Sequence, residues 1–269
     1  MLVCAWRPSA QAQPIPAQAQ PMRAQAQPMR VSHMQGTIHG FLELRSQDGR
    51  VLASGDSVQV VHGDQVTSHT LFSFKDGSID DETTVFSQHR ALRLITDRHI
   101  QKGPSFPHPM DVLIDSRSGQ VTVRSTGKDG KEEVRADHLR LPPDLANGMV
   151  PLVIENLGAG APETKVSMLV AAPKPRLVKL AMSYRGEETC SVAGSPRKVI
   201  HYEIKIDLGG VAGVVAPIIG KEPPDIQLWT IGGQAPTFVR EQGPIYPECP
   251  MMTIQLASPV WPDSPKSGD

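Results

Sequence analysis

Aromatic residues make up only 4% of this 269-residue chain, too few to line a groove with the stacked rings that hold single-stranded nucleic acid. An excess of charge of one sign is missing as well. Lys and Arg total 27 against 28 Asp and Glu, and the basic residues are scattered, so no segment concentrates the positive charge that displaces counterions from phosphates. These two absences argue against a nucleic-acid partner. No apolar run is long enough to cross a bilayer as a helix; the longest uncharged stretch of the body, Leu208–Gly220, is short and broken by glycines. Cysteine is scarce, at 3 residues, with no CxxC pair and no Cys/His spacing suited to structural zinc. The familiar catalytic signatures are missing too: there is no GxSxG elbow, HExxH helix, Walker loop or GxGxxG turn. Gly127-Lys-Asp-Gly-Lys131 has neither the spacing nor the following Ser/Thr of a phosphate loop. Nothing in these patterns implies a cofactor or a metal ion.

What is present is a β protein on a tether. Hydrophobic residues reach 39%, enough for a substantial core. The 25 prolines and 23 glycines fall largely between short alternating segments, where they read as turns. Residues 10–28 repeat Ala-Gln-Ala-Gln-Pro at a seven-residue period; the prolines and the lack of large apolar pairs exclude a coiled coil and predict an extended linker. Ahead of it, Met1–Trp6 is apolar, and Ser9-Ala-Gln-Ala12 has the small-x-small form of a signal-peptidase site. The expected organisation is a residual signal segment and linker over 1–32, a β-rich domain over 33–261, and a frayed tail over 262–269. The protein is expected to be exported, to the periplasm or the extracellular space.

From Met34 the hydrophobic period is two, as in a half-buried strand. Gln47-Asp-Gly49, His62-Gly-Asp64 and Lys75-Asp-Gly-Ser78 turn the chain, since glycine supplies the positive φ that hairpins need. Ile200, Tyr202, Ile204 and Ile206 alternate with His201, Glu203, Lys205 and Asp207. One helix is expected after Pro142-Pro-Asp144, with Asp144 near its N-cap and Leu145, Met149, Leu152 and Val153 at helical spacing. Short connections between strands make the sheet antiparallel. The fold class is mainly β: a large curved antiparallel sheet, half-barrel or barrel-like, with one or two short helices. Residues 142–160 are either a plug across one sheet or a boundary between two domains.

Several groups invite a chemical reading beside a structural one. Asp76, Asp80, Asp81 and Glu82 read as a solvated hairpin tip, or as oxygen ligands for a hard cation. His99, Arg93 and Asp97 alternate with Leu92 and Leu94, as on an ordinary solvated face, although histidine is also a general base. The apolar, glycine-rich Gly209–Gly220 is a packed turn or an apolar lip, which Trp229 and Trp261 extend. Cys190 and Cys249 remain once Cys4 leaves with a signal segment. In an oxidising compartment they are expected to form a disulfide; otherwise they are unrelated thiols.

Leu71-Phe-Ser-Phe-Lys-Asp-Gly-Ser78, Asp81-Glu-Thr83, Phe86, Gln101-Lys-Gly-Pro-Ser-Phe-Pro107 and Pro142-Pro-Asp-Leu-Ala-Asn-Gly148 together resemble an uncharacterised group of bacterial envelope proteins. That group is similar to the LolA/LolB-type lipoprotein carriers. The resemblance covers residues 35–160 and implies a half-barrel, plugged by helices, that holds acyl chains; it carries no catalytic motif. The functional expectation is a non-enzymatic envelope protein that binds an apolar or lipid-like ligand against a concave face made by Ile38, Leu42, Phe72, Phe74, Leu92 and Leu94. The alternatives are an assembly scaffold that contacts the membrane or other envelope proteins, and a hydrolase or metal-dependent enzyme built on the histidines or the acidic cluster.

Overall fold

The computed structural model describes residues 26–126, 131–171, 174–192, 195–207, 223–247 and 249–257. The signal-like N-terminus, most of the Ala/Gln/Pro repeat, the Gly127–Gly130 turn, the glycine-rich Leu208–Gly220 stretch, Trp261 and the C-terminal tail lie outside the described residues. Two antiparallel meanders make one 14-stranded curved sheet. The first comprises β1 (Ile38–Ser46), β2 (Val51–His62), β3 (Gln65–Phe74), β4 (Ile79–Ser87), β5 (Arg93–Lys102), β6 (Met110–Asp115), β7 (Gln120–Thr126) and β8 (Glu132–His138). The second comprises β9 (Thr164–Val170), β10 (Arg176–Val192), β11 (Ser195–Asp207), β12 (Ile226–Ile231), β13 (Thr237–Gly243) and β14 (Met252–Leu256).

The meanders join where β1 pairs antiparallel with β14 over Leu42–Ser46. β8 and β9, which flank residues 142–160 in sequence, are the two ends of the sheet. Between them runs a single short helix, α1 (Val150–Glu155). It starts later than the sequence suggested. Met149 is its N-cap, Pro151 lies in its first turn, and the proline ring tolerates that place because the first turn has no N–H partner to lose. Asp144 is not a cap: its buried carboxylate accepts hydrogen bonds from the Ser167 hydroxyl at 2.8 Å and the Lys179 ammonium at 2.7 Å. Leu145 forms a parallel bridge to Ser167, so the segment before α1 docks along β9.

The main core forms around this plug. Leu145, Met149, Val153 and Ile154 are buried against Val66, Phe86, Ile114 and Val121 of the first meander and Val166, Leu180, Tyr202 and Leu228 of the second. Both halves of the sheet therefore wrap the same short segment, and burying apolar surface from both holds the curvature. A second apolar cluster, Leu42, Leu44, Ala53 and Phe72 with Phe74, Ile245, Ile254 and Leu256, occupies a separate part of the concave side. The strap before β1 closes over α1: Ser32 and His33 donate backbone N–H groups to the Asn156 side chain at 2.7 and 2.9 Å.

Candidate functional site

The strand register lays side chains of β1 to β6 in rows across the concave face. One row runs Leu42, Gly55, Phe72, Asp80, Gln101, Met110. The next runs Gly40, Ser57, Thr70, Glu82, His99, Val112, and a third Gln59, Ser68, Thr84, Asp97, Ile114. Apolar residues thus flank a band in which the side chains are small or polar. Ser57 and Thr70 share a hydrogen bond of 3.1 Å, and Gly55 gives way to the Phe72 ring, against which a Cβ there would lie at 2.5 Å.

Two local features turn polar residues inward. The chain turns at Lys75–Ser78, so Asp80 and Glu82 already belong to β4 rather than to a hairpin tip; Asp81 faces the other way, where it accepts a hydrogen bond from His69 at 2.9 Å. In β5 the register slips, Val85 pairing with Thr96 and Phe86 with Leu94. The extra residue, Ile95, is a β-bulge, and a one-residue slip exchanges the two faces of a strand. Leu94 and Asp97 are therefore both buried. This corrects the expectation that Asp97 and His99 lie on a solvated face.

The inward groups form a connected layer. His99 Nε2 donates to Asp80 Oδ1 at 2.7 Å. Gln101 Nε2 donates to Asp80 Oδ2 and to the Ile245 carbonyl, each at 2.8 Å. The Thr84 hydroxyl donates to Asp97 Oδ1 at 2.8 Å. Glu241 approaches from β13, where it pairs with Leu228 and Ile254, and its charge is felt at Glu82. Burial in a low-dielectric interior disfavours ionised carboxylates. It pushes Glu241 up to about 7. Burial, reinforced by the neighbouring Glu82, raises Asp97 to about 8. Glu82 is raised by burial and by Asp80 and Glu241, against the opposing pull of His99. Burial acts against protonation of His99, but the Asp80 hydrogen bond and the surrounding carboxylates outweigh it and lift the imidazole to about 9.

Glu82 in β4 and Glu241 in β13 both keep partial accessible surface. Among the described residues neither carboxylate takes part in a hydrogen bond or a salt bridge. Neither is among the buried side-chain polar atoms left without a partner, so their carboxylate oxygens reach solvent. Among the described residues no three His, Cys, Asp or Glu side chains converge as a metal-ligand set.

The six apolar residues singled out from the sequence are divided between the two clusters. Leu92 and Leu94 belong to the main core; Leu42 and Phe72 are buried in the second cluster, with Phe74 packed against it. Ile38 shares a strand face with Leu42 but is 53% exposed, so it is not part of either core. Two open cavities lie elsewhere. One of about 610 Å³ lies beyond the end of α1 between Leu157, Ala159, Ile200 and Ile231, with Glu187 and Lys198 among its lining residues. One of about 260 Å³ lies between Leu94, Arg93 and the Leu141–Pro143 turn.

Cys190 and Cys249 are free thiols, contrary to the expected bridge. Cys190 packs beside Val199, Trp229 and Val239 and accepts an N–H from Arg240 at 3.5 Å. Cys249 is buried in the connection after β13, where its backbone N–H bonds to the Tyr246 carbonyl at 3.1 Å. Trp229 is in this same cluster, buried between the His201 ring at 4.6 Å and the Arg240 guanidinium at 4.1 Å, and so is not part of an exposed lip.

Sequence reasoning missed Glu241 altogether, and it assigned Asp80, Glu82, Asp97 and His99 to solvent. The bulge at Ile95 has no mark in the sequence, and Glu241 lies within β13 with no motif around it.

No protein-family model matches the chain, and no curated protein matches it. Among solved structures, the chain is similar to a β-barrel-like protein of a domain of unknown function, DUF1849, from Brucella abortus, at 10% identity, a TM-score of 0.47, and coverage of 84% of this chain and 98% of that one. None of these comparisons connects the chain to the LolA/LolB carriers.

Proposed function

We propose that the protein is a non-enzymatic binding protein that holds an apolar or lipid-like ligand on the concave side of its sheet, and that it works outside the cytoplasm. The observation that carries this reading is the curved 14-stranded sheet with a second apolar cluster, Leu42, Phe72, Ile254 and Leu256, apart from the core packed around α1. A mainly apolar recess with a few convergent polar groups is the usual form of a small-molecule site. Gly40, Ser57 and Thr70 place small side chains on the register row beside that cluster, whereas the core around α1 is filled by large ones.

Native mass spectrometry of the protein purified from its own source, together with titration of the uncharged fluorescent probe N-phenylnaphthylamine, tests the proposal. A copurifying apolar molecule and saturable probe binding, abolished by the space-filling Ser57→Phe, are expected. If neither ligand nor probe binding is found, the reading is wrong.

His99 among carboxylates favours an enzyme as the second reading. It ranks lower because, among the described residues, no hydroxyl is bonded to His99: Thr84 bonds to Asp97, and Ser57 to Thr70. Such a constellation lacks a nucleophile–base pair.

A further inference from the structure

The two ends of the sheet differ. At one end the backbone of β9 is covered by the segment before α1. The Ser167 carbonyl accepts the Ala146 N–H at 2.9 Å, and the Ser167 N–H donates to the Asp144 carbonyl at 3.0 Å. The Asn147 side chain accepts the Leu169 N–H at 2.8 Å and donates to the Leu169 carbonyl at 3.0 Å. At the other end β8 pairs with β7 along Glu132–His138, and among the described residues no strand lies beyond it. Every residue of β8 except Asp137 is exposed, Val134 to 61%. An open strand edge is a template for another strand. Its charges decide which strand it accepts. Lys131, Glu133, Arg135 and Asp137 share one face and alternate in sign, with Arg135 bonded to Asp137 at 2.9 Å. Glu132, Val134, Ala136 and His138 share the other face. An edge of one sign repels a second copy of itself in every register. An alternating edge repels in some registers and attracts in others.

We infer that β8 is a self-association edge, through which two copies of this chain pair antiparallel about a two-fold axis at Val134 and join their sheets into one. The axis of such a pair stands normal to the sheet, so residues on the same face meet each other. Centred on Val134, Lys131 faces Asp137 of the other copy and Glu133 faces Arg135, each contact occurring twice by symmetry, and Val134 meets Val134. Every charge of the alternating row then has an opposite charge across the join. Centred on Arg135, arginine would face arginine and Glu133 would face Asp137. Centred on Glu133 or Glu132, glutamate would face glutamate. Centred on Ala136, only the contact between Arg135 and Asp137 survives. Opposite charges directly across a ladder stabilise it and like charges destabilise it, so the row selects both the partner and the register. One strand edge is a small contact, which makes the dimer weak and dependent on concentration. The inference is independent of what the concave side binds.

Sedimentation velocity of the full chain over a concentration series tests it. A reversible monomer–dimer equilibrium is expected, shifted toward monomer by added salt. Arg135→Glu places glutamate against glutamate at two contacts and is expected to weaken the dimer at least about tenfold. Combining it with Glu133→Arg exchanges the signs of one facing pair, and is expected to restore the parent's dimerisation to within about threefold. A damaged fold would not be rescued by a second substitution, so the exchange separates association from folding. Register is read by disulfide trapping. Val134→Cys brings two thiols together at the axis, within reach of a disulfide. Ala136→Cys separates them by four residues along the strand, about 13 Å, which is beyond that reach. Peptide mapping after mild oxidation is therefore expected to find the cross-link in Val134→Cys alone. A monomer at every concentration overturns the inference and leaves the edge to solvent or to a strand of another protein. A dimer indifferent to Arg135→Glu, an exchange that fails to restore it, or equal trapping of the two cysteine variants overturns it as well.

Discussion

Gly148 lies with its backbone against β4 and β5, where a Cβ would collide with the Thr84 hydroxyl and approach Asp97 Oδ1 to 2.8 Å; its φ is +64°. The left-handed conformation and the close approach both require glycine. Gly148→Ala is expected to lower stability in urea unfolding by about 2–4 kcal/mol, from added strain and overpacking. Gly158→Ala, whose Cβ would meet nothing within 4 Å, is the control and should change stability by less than about 0.5 kcal/mol. The cysteines give a second test at this scale. Because both thiols are free and Cys249 is 7% exposed, iodoacetamide without reductant should label Cys190 in the folded protein and Cys249 only after denaturation. Peptide mapping that finds the two joined would contradict the structure.

At the next scale, the plug depends on one ionic anchor. The Asp144 carboxylate is 1% exposed and the Lys179 side chain 40%, so the cation reaches solvent while the anion does not. Removing the cation strands a buried charge, which is far costlier than removing the pair. Lys179→Met is expected to destabilise by about 3 kcal/mol, and adding Asp144→Asn to recover part of that loss; equal stability of the two variants would show that the pair contributes nothing. The same segment illustrates what sequence patterns convey. Period-two alternation located most strands, and Tyr202 and Ile204 are buried as their spacing implied. The helix was placed too early because Asp144 has the chemistry of a cap, and only the fold reveals a tertiary use for it. The interior layer was illegible for a deeper reason. Alternation marks the two faces of a strand but assigns the polar face to solvent by assumption, and that assumption fails when a curved sheet buries polar residues such as Thr84, Asp97 and Gln101. At β5 even the alternation breaks, since Ile95 shifts Asp97 onto the face of Leu94.

For the whole molecule, the buried acids set an unusual dependence of stability on pH. Glu82, Asp97, Glu241 and Glu155 all hold their protons more tightly in the folded chain, Glu241 and Glu155 to about 7 and Asp97 to about 8. For Glu155 burial outweighs the hydrogen bonds it accepts from the Phe238 N–H and the Gln35 side chain. A group whose pKa rises on folding contributes stability that is complete below its unfolded pKa, about 4 for these carboxyls. That contribution drains away as pH climbs through the folded value. His99, raised to about 9, acts in the same direction: its contribution is intact below about 6.5 and lost toward pH 9. Asp111, held low by Arg98 and Arg124, opposes this trend only in acid, where protonation breaks its ion pairs. Stability should therefore peak near pH 4–5 and fall steadily to pH 9. Melting temperatures measured across that range at constant salt should decline with pH, and Glu241→Gln combined with Asp97→Asn should flatten the decline between about pH 4, the unfolded value, and the folded values of about 7 and 8. A curve that is level or rises toward pH 9 would mean that these carboxyls are hydrated rather than buried, and the interior would then be open to bulk water at the level of Glu82.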